Sequence, residues 1–160
     1  MTDKENNIES KWILWNHKLD DNSWSNDSYN NMYEINNLFD YKILEDNITL
    51  QNLQNTMFFL MRDNIFPTWE DPLNKNGCGA SFKVPSTNIY DIWNKLTSYL
   101  ICENIQKDIK YWDNINGISI SPKKEFNIIK IWFKNNVIDM KSINFIEPYI
   151  TDKNGRIKKY

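Results

Sequence analysis

The chain has 160 residues, 19 of them lysine or arginine and 21 aspartate or glutamate, for a formal net charge of −2. That length suits one domain with its own core, and the near-neutral charge argues against a broad basic nucleic-acid coat while allowing a local basic patch. Charged residues at 25% and hydrophobic ones at 41% are ordinary for a soluble globular protein, and no apolar run approaches the length that spans a bilayer.

The opening MTDKENNIES is polar and acidic, with no apolar segment behind a basic patch. Residues 1–9 therefore read as a flexible tail and not as a secretory signal, and the cytoplasm is the expected compartment. Residues 11–19 (KWILWNHKL) are apolar and then alternating, which predicts a first strand. Residues 20–31 are so rich in Asp, Asn and Ser that they predict a loop, yet they carry Trp24. Ile35, Leu38, Phe39 and Ile43 recur at helical spacing, and residues 57–63 (MFFLMRD) read as a buried strand. The next segment, FPTWEDPLNKNGCG, is a loop bracketed by Pro and Gly that sets Trp69 against Glu70 and Asp71.

Residues 80–84 predict a short strand. Ile89, Ile92, Trp93, Leu96 and Leu100 share one face of a helix for which Thr87 supplies the N-cap. Residues 116–133 predict two strands joined by the basic turn SPKKEF, residues 137–150 a short helix halted before Pro148, and residues 151–160 a basic, turn-prone end. Strands and helices mixed without a βαβ rhythm indicate an α+β sheet with helices on one face. Cys78 and Cys102 lack metal-site spacing, and with His17 as the one histidine neither a zinc site nor a nucleophile with its base assembles. Both cysteines read as free thiols, no cofactor or metal is implied, and His17 reads as an ordinary polar residue.

Aromatic residues make up 14% of the chain, including seven tryptophans, more than a small core readily absorbs. Trp12, Trp15 and Trp93 sit at core spacing and read as scaffold, whereas Trp24 and Trp69 lie on loops. If those two faced each other across one ring's width, a base with delocalised positive charge would gain dispersion on both sides plus a cation–π term, at ~1–3 kcal/mol per stack. Glu70 would accept hydrogen bonds from adjacent N–H groups such as guanine N1 and N2 while offsetting a positive charge. Guanine methylated at N7 meets both conditions.

These residues carry a family resemblance. KWILW, NSWS, PTWEDPLNKNG and IIKIW resemble, in order and separation, the motifs of the eukaryotic translation initiation factor 4E family, which binds the 7-methylguanosine cap of messenger RNA. The resemblance implies one cap-binding domain over residues 1–160, a curved antiparallel sheet with helices on its convex face and the cap on the concave face. It implies that Trp24 and Trp69 sandwich the base, Glu70 binds its edge and Trp132 touches the methyl group. Lys123, with Lys124 next, matches the family's basic turn near the phosphates.

A later basic position falls near Ile128, which cannot serve; Lys130, two residues from Trp132 and so on the same strand face about 7 Å away, is the expected substitute. The basic end, with Arg156, Lys158 and Lys159, is a weaker candidate for the second nucleotide. Where the family has Gly, a basic residue and Trp after Gly77, this chain reads CGASF, leaving Cys78 expected near the cleft. The family's partner surface maps to Ile35 and Phe39 for a scaffold initiation factor or binding protein carrying Tyr-x-x-x-x-Leu, but its leucine positions fall near the polar Asn94 and Ser98.

The expected protein is a monomeric, non-enzymatic cap-binding factor in translation initiation, with capped messenger RNA as partner and no membrane. The alternatives are a cap-binding translational repressor or an interaction module that has lost the ligand. An enzyme acting on the cap is disfavoured, because no carboxylate cluster, activated nucleophile or phosphate-cradling Gly-rich loop is present.

Overall fold

The computed structural model describes residues 6–160. Seven strands form one curved antiparallel sheet: β1 (Trp12–Lys18), β2 (Asn30–Ile35), β3 (Thr56–Arg62), β4 (Cys78–Pro85), β5 (Ile115–Pro122), β6 (Phe126–Phe133) and β7 (Arg156–Lys159), in the order β2-β1-β3-β5-β6-β4-β7. Three α-helices, α1 (Leu38–Asn47), α2 (Leu50–Asn55) and α3 (Ile89–Ile101), cover one face.

The period of two in the strands divides their side chains between a core and an open face. Trp12, Leu14, Leu60, Ile118, Ile120, Ile129, Ile131, Phe133, Ala80 and Phe82 point to the helices, where Ile89, Trp93, Leu96 and Leu100 of α3 meet them. A second, smaller cluster of Phe59, Met61, Ile65 and Trp132, with Trp15, Tyr29, Met57 and Tyr160 against it, forms on the other face. Thus Trp12 and Trp93 are core scaffold, as expected, while Trp15 packs edge-on to Phe66 with centroids 5.0 Å apart and supports the loop beyond it.

Several expectations change. Ile35 closes β2 instead of opening a helix. It pairs with Trp12 and is fully buried, so it cannot present itself to a partner. Its apparent helical spacing to Leu38 and Phe39 bridges the end of an edge strand and the start of α1, whose Asn37 caps the helix by accepting the Asp40 N–H at 2.8 Å. α2 follows from a capping box, Thr49 Oγ1 accepting the Asn52 N–H at 3.2 Å and Asn52 Oδ1 the Thr49 N–H at 2.9 Å.

Asn88, not Thr87, occupies the N-cap position of α3. Residues 137–150 form only a 3₁₀ turn at Met140–Ser142, and the basic end adds β7 to the sheet. Of the expected tail, residues 1–5 lie outside the described residues, and Ile8 packs on the core. Cys78 turns to the core side of β4, away from the open face, and its thiol donates to the Asn135 carbonyl. Both cysteines are free. Among the described residues no helix is long and apolar enough to cross a membrane.

The rim of the core is closed by an ion pair. Arg62, on β3, meets both carboxylate oxygens of Glu103 at 2.6 and 2.7 Å and donates from Nε to the Ile115 carbonyl at 2.8 Å. Its guanidinium lies between two indoles, 4.4 Å from the Trp12 ring centre and 4.8 Å from that of Trp112. Trp112 thereby has a structural role. Removing one member strands the other charge in the interior. Arg62→Ala is therefore expected to lower the unfolding free energy by about 3–5 kcal/mol in urea titrations, while Arg62→Lys, lacking the bidentate fork, recovers only part of it.

Candidate functional site

The open face carries a continuous run of aromatic rings. Tyr29 meets Phe59 edge-on at 5.5 Å and Phe66 at 5.4 Å, Phe59 meets Trp132 at 6.3 Å, and Trp132 tilts against Tyr160 at 5.4 Å. At one end of the run His17 and Trp24 stack in parallel, centroids 4.0 Å apart at 8°. At the other end Trp69, Trp132, Lys130, Lys158, Lys159 and Tyr160 line a cavity of about 370 Å³. A larger depression of about 560 Å³ beside Leu73 and Val137 contains one lysine, Lys134, and no aromatic plate. A further depression of about 550 Å³ sets Lys83 and Arg156 beside Phe126 but holds no tryptophan, so of the three the smallest is the one that joins an exposed indole to cations.

The loop that carries Trp69 is tied down from beneath. The Asp71 carboxylate accepts the backbone N–H of Phe66 and of Leu73, both at 2.9 Å. Asn74 is fully buried; its amide donates to the carbonyls of Phe66 at 3.2 Å and Thr68 at 2.8 Å, and its oxygen accepts from Asn116 Nδ2, on β5, at 2.9 Å. Asn116 also donates to the Leu73 carbonyl at 2.8 Å. Gly77 ends the loop where a side chain would collide with the Phe133 carbonyl oxygen. A segment without an apolar core is thus held by amide groups, leaving Trp69 53% exposed and Glu70 in solvent. Glu70 lies close enough to Tyr29 that its negative charge adds to burial in pushing the phenol's pKa up.

Lys130 and Trp132 share a face, as their spacing predicts. The Lys130 ammonium sits 4.2 Å from the Trp132 ring centre and 5.4 Å from that of Tyr160. The room comes from Gly79: a Cβ there would stand 2.6 Å from Lys130 Cδ and 2.5 Å from the Tyr160 hydroxyl. The lysine stem thus occupies the space a side chain at position 79 would need. Burial first, and then the charge of Lys158, lower the Lys130 pKa to about 8. Trp132 itself is only 3% exposed, with its N–H donated to Ser119 Oγ at 2.9 Å.

Of the expected base-binding residues, Trp69 and Trp132 share the cavity and Glu70 follows directly on Trp69. Trp24 stands beside Tyr29 and His17 and does not line that cavity. Of the expected phosphate ligands, Lys130 lines it, whereas Lys123 and Lys124 are exposed in the β5–β6 turn outside it. Lys158 and Lys159 reach it because β7 pairs with β4, Lys158 opposite Gly79. Phe39 is 66% exposed on α1, whereas Ile35 is buried. Tyr29, Gly79, Tyr160 and the stacking of His17 on Trp24 leave no local signal in the sequence, whereas Asn74 is marked as the Asn that follows the Trp-Glu-Asp motif.

A model of the family described as Eukaryotic initiation factor 4E matches residues 7–152. A eukaryotic translation initiation factor 4E homolog of Acanthamoeba polyphaga mimivirus is 36% identical over 70 residues, 44% of this chain. The eukaryotic translation initiation factor 4E of Eremothecium gossypii is 28% identical over 146 residues, 83% of this chain. The chain spans 26% and 64% of the length of these two curated relatives.

Among solved structures, C. elegans eIF4E-3, in complex with the 4E-binding protein Mextli and a cap analog, matches with a TM-score of 0.73 at 21% identity, covering 81% of this chain and 75% of its own. Ascaris suum eIF4E-3 in complex with m7G cap also gives a TM-score of 0.73, at 18% identity, covering 84% of this chain and 76% of its own.

The electrostatics of the cavity are directly measurable. In an NMR titration, the Lys130 side chain is expected to lose its proton at about pH 8. Lys158→Ala should move that midpoint upward, because it removes one of the two causes that lower it.

Proposed function

The chain belongs to the eukaryotic initiation factor 4E family, and we propose that it binds the 7-methylguanosine cap of messenger RNA and acts in translation initiation in the cytoplasm, without catalysing a reaction. The observation that carries the proposal is the joining of a solvent-facing indole, Trp69, to Lys130 and Lys158 in one cavity, with a carboxylate, Glu70, next to that indole in the chain. Stacking suits a cationic base, the carboxylate suits its N1 and N2 edge, and the lysines suit a triphosphate. Trp24, which stands outside that cavity beside Tyr29, acts as the second plate only if the Trp69 side chain turns toward it, and Trp132 forms the wall beside the methyl group. Lys123 and Lys124 stand outside the cavity in the β5–β6 turn, so Lys130 and Lys158 carry more of the phosphate contact.

On the helix-covered face, the exposed Phe39 (66%) and Ile43 (41%) lie one turn apart on α1. They support docking of a Tyr-x-x-x-x-Leu segment from a scaffold factor or binding protein, with no part for Ile35. Immobilised peptide of that form should retain the protein and release Phe39→Ala. Retention of neither would favour the repressor alternative or an unfamiliar partner.

The deciding measurement is a fluorescence titration with 7-methyl-GTP and GTP. The methylated nucleotide should quench tryptophan emission and bind far more tightly, and equal affinities would overturn the proposal. Trp69→Ala should lose about tenfold or more in affinity, the value of one aromatic–base stack. Since Lys130 is cationic below about pH 8 and neutral above it, affinity should fall as pH rises from 7 to 9. Lys130→Arg, charged throughout that range, should flatten the fall relative to the unsubstituted protein.

A further inference from the structure

We propose that His17 is a positioning residue for Trp24, a fixed plate on the sheet that holds the indole ready for a ligand ring on its free face; this rests on the cap-binding proposal above. Residues 18–27 contain no buried side chain, so hydrophobic burial does not fix that loop. Trp24 is nonetheless laid parallel on the His17 ring, 4.0 Å away at 8°, a stacking geometry that takes up one indole face while the side chain as a whole stays 57% exposed.

His17 is itself immobile. It is fully buried, stands opposite Met57 in the β1–β3 ladder, and is braced edge-on by Tyr29 at 5.1 Å. Its Nδ1 lies 2.9 Å from the Lys18 carbonyl oxygen and its Nε2 2.8 Å from that of Ser23. Ser23 directly precedes Trp24, so the same ring fixes both the backbone and the side chain of the plate. The Asp21 carboxylate completes the turn by accepting the Ser23 N–H at 2.8 Å.

An indole already confined to one orientation has less rotational freedom to lose when a base stacks on it, so part of the ordering cost is met during folding. A histidine that merely filled space would have no such link to ligand affinity.

The test is a double-mutant cycle on the full chain, with 7-methyl-GTP as the probe and circular dichroism and thermal melts as folding controls. His17→Ala should weaken binding severalfold, up to about tenfold, the cost of ordering one side chain on binding, and His17→Phe, which keeps a flat plate, should recover most of it. In a Trp24→Ala background His17→Ala should cause no further loss, because it acts through the indole.

Unchanged or tighter binding by His17→Ala overturns the inference, as does an equal loss in the Trp24→Ala background or no recovery by a folded His17→Phe. In all three cases the cap-binding proposal still stands if the unsubstituted protein prefers 7-methyl-GTP to GTP. Failure of the unsubstituted protein to bind 7-methyl-GTP overturns both.

Discussion

The site depends on one buried amide. Asn74 joins the start of its loop, at Phe66 and Thr68, to the middle of the sheet at Asn116. A loop of Pro, Asp, Asn and Gly cannot bury enough apolar surface to fix itself, and an exposed tryptophan on a loose loop would lose much of its stacking energy to ordering. A buried amide with its partners satisfied costs little and specifies a single arrangement. Without it Trp69 would have a scaffold beneath it but no fixed height or angle above it.

The sheet supplies the other half of the geometry by alternation. Antiparallel pairing puts Trp132 opposite Gly79 and Lys130 opposite Ser81, and β7 then sets Lys158 beside Gly79. Three strands far apart in sequence thus deliver an indole, two cations and a gap to one patch. The gap matters as much as the charges, since a side chain at position 79 would meet the Lys130 stem and the Tyr160 hydroxyl. The stem that fills the gap comes from β6, and its ammonium stands over the Trp132 ring.

What was legible in the sequence follows from where burial imposes a pattern. β1, β3, the β5–β6 hairpin and α3 each bury a face or most of their length, so their periodicity shows. β2 and β7 are edge strands with few or no buried side chains, Ile35 being the one in β2; nothing in their hydrophobicity forces a strand, and their pairing partners decide. The same reason separates the site residues. Trp69, Glu70 and Lys130 could be named because local motif and strand spacing place them. The presence of Lys158 in the cavity depends on β7 lying against β4, and the His17 stack on the path of a polar loop; neither is encoded in a local pattern.

The two exposed tryptophans are consequently held by unlike means. Trp69 is held through the backbone of its loop neighbours, the Phe66 and Leu73 N–H groups bonded to Asp71 and the Phe66 and Thr68 carbonyls to Asn74, with no ring stacked on it among the described aromatic contacts. Trp24 is fixed largely through its face, by the ring beneath it. A backbone tether sets a position that side-chain rotation can still adjust, whereas a stacked plate sets an orientation and resists tilting. In the proposed complex the incoming base would therefore align to Trp24, and Trp69 would turn to match it and close the sandwich. Charge then discriminates among flat ligands: dispersion accepts any base, but a cationic ring gains from both indoles and from Glu70 together. The lysines on the far side of the cavity, repelled by such a ring, favour the orientation that turns its phosphates toward them.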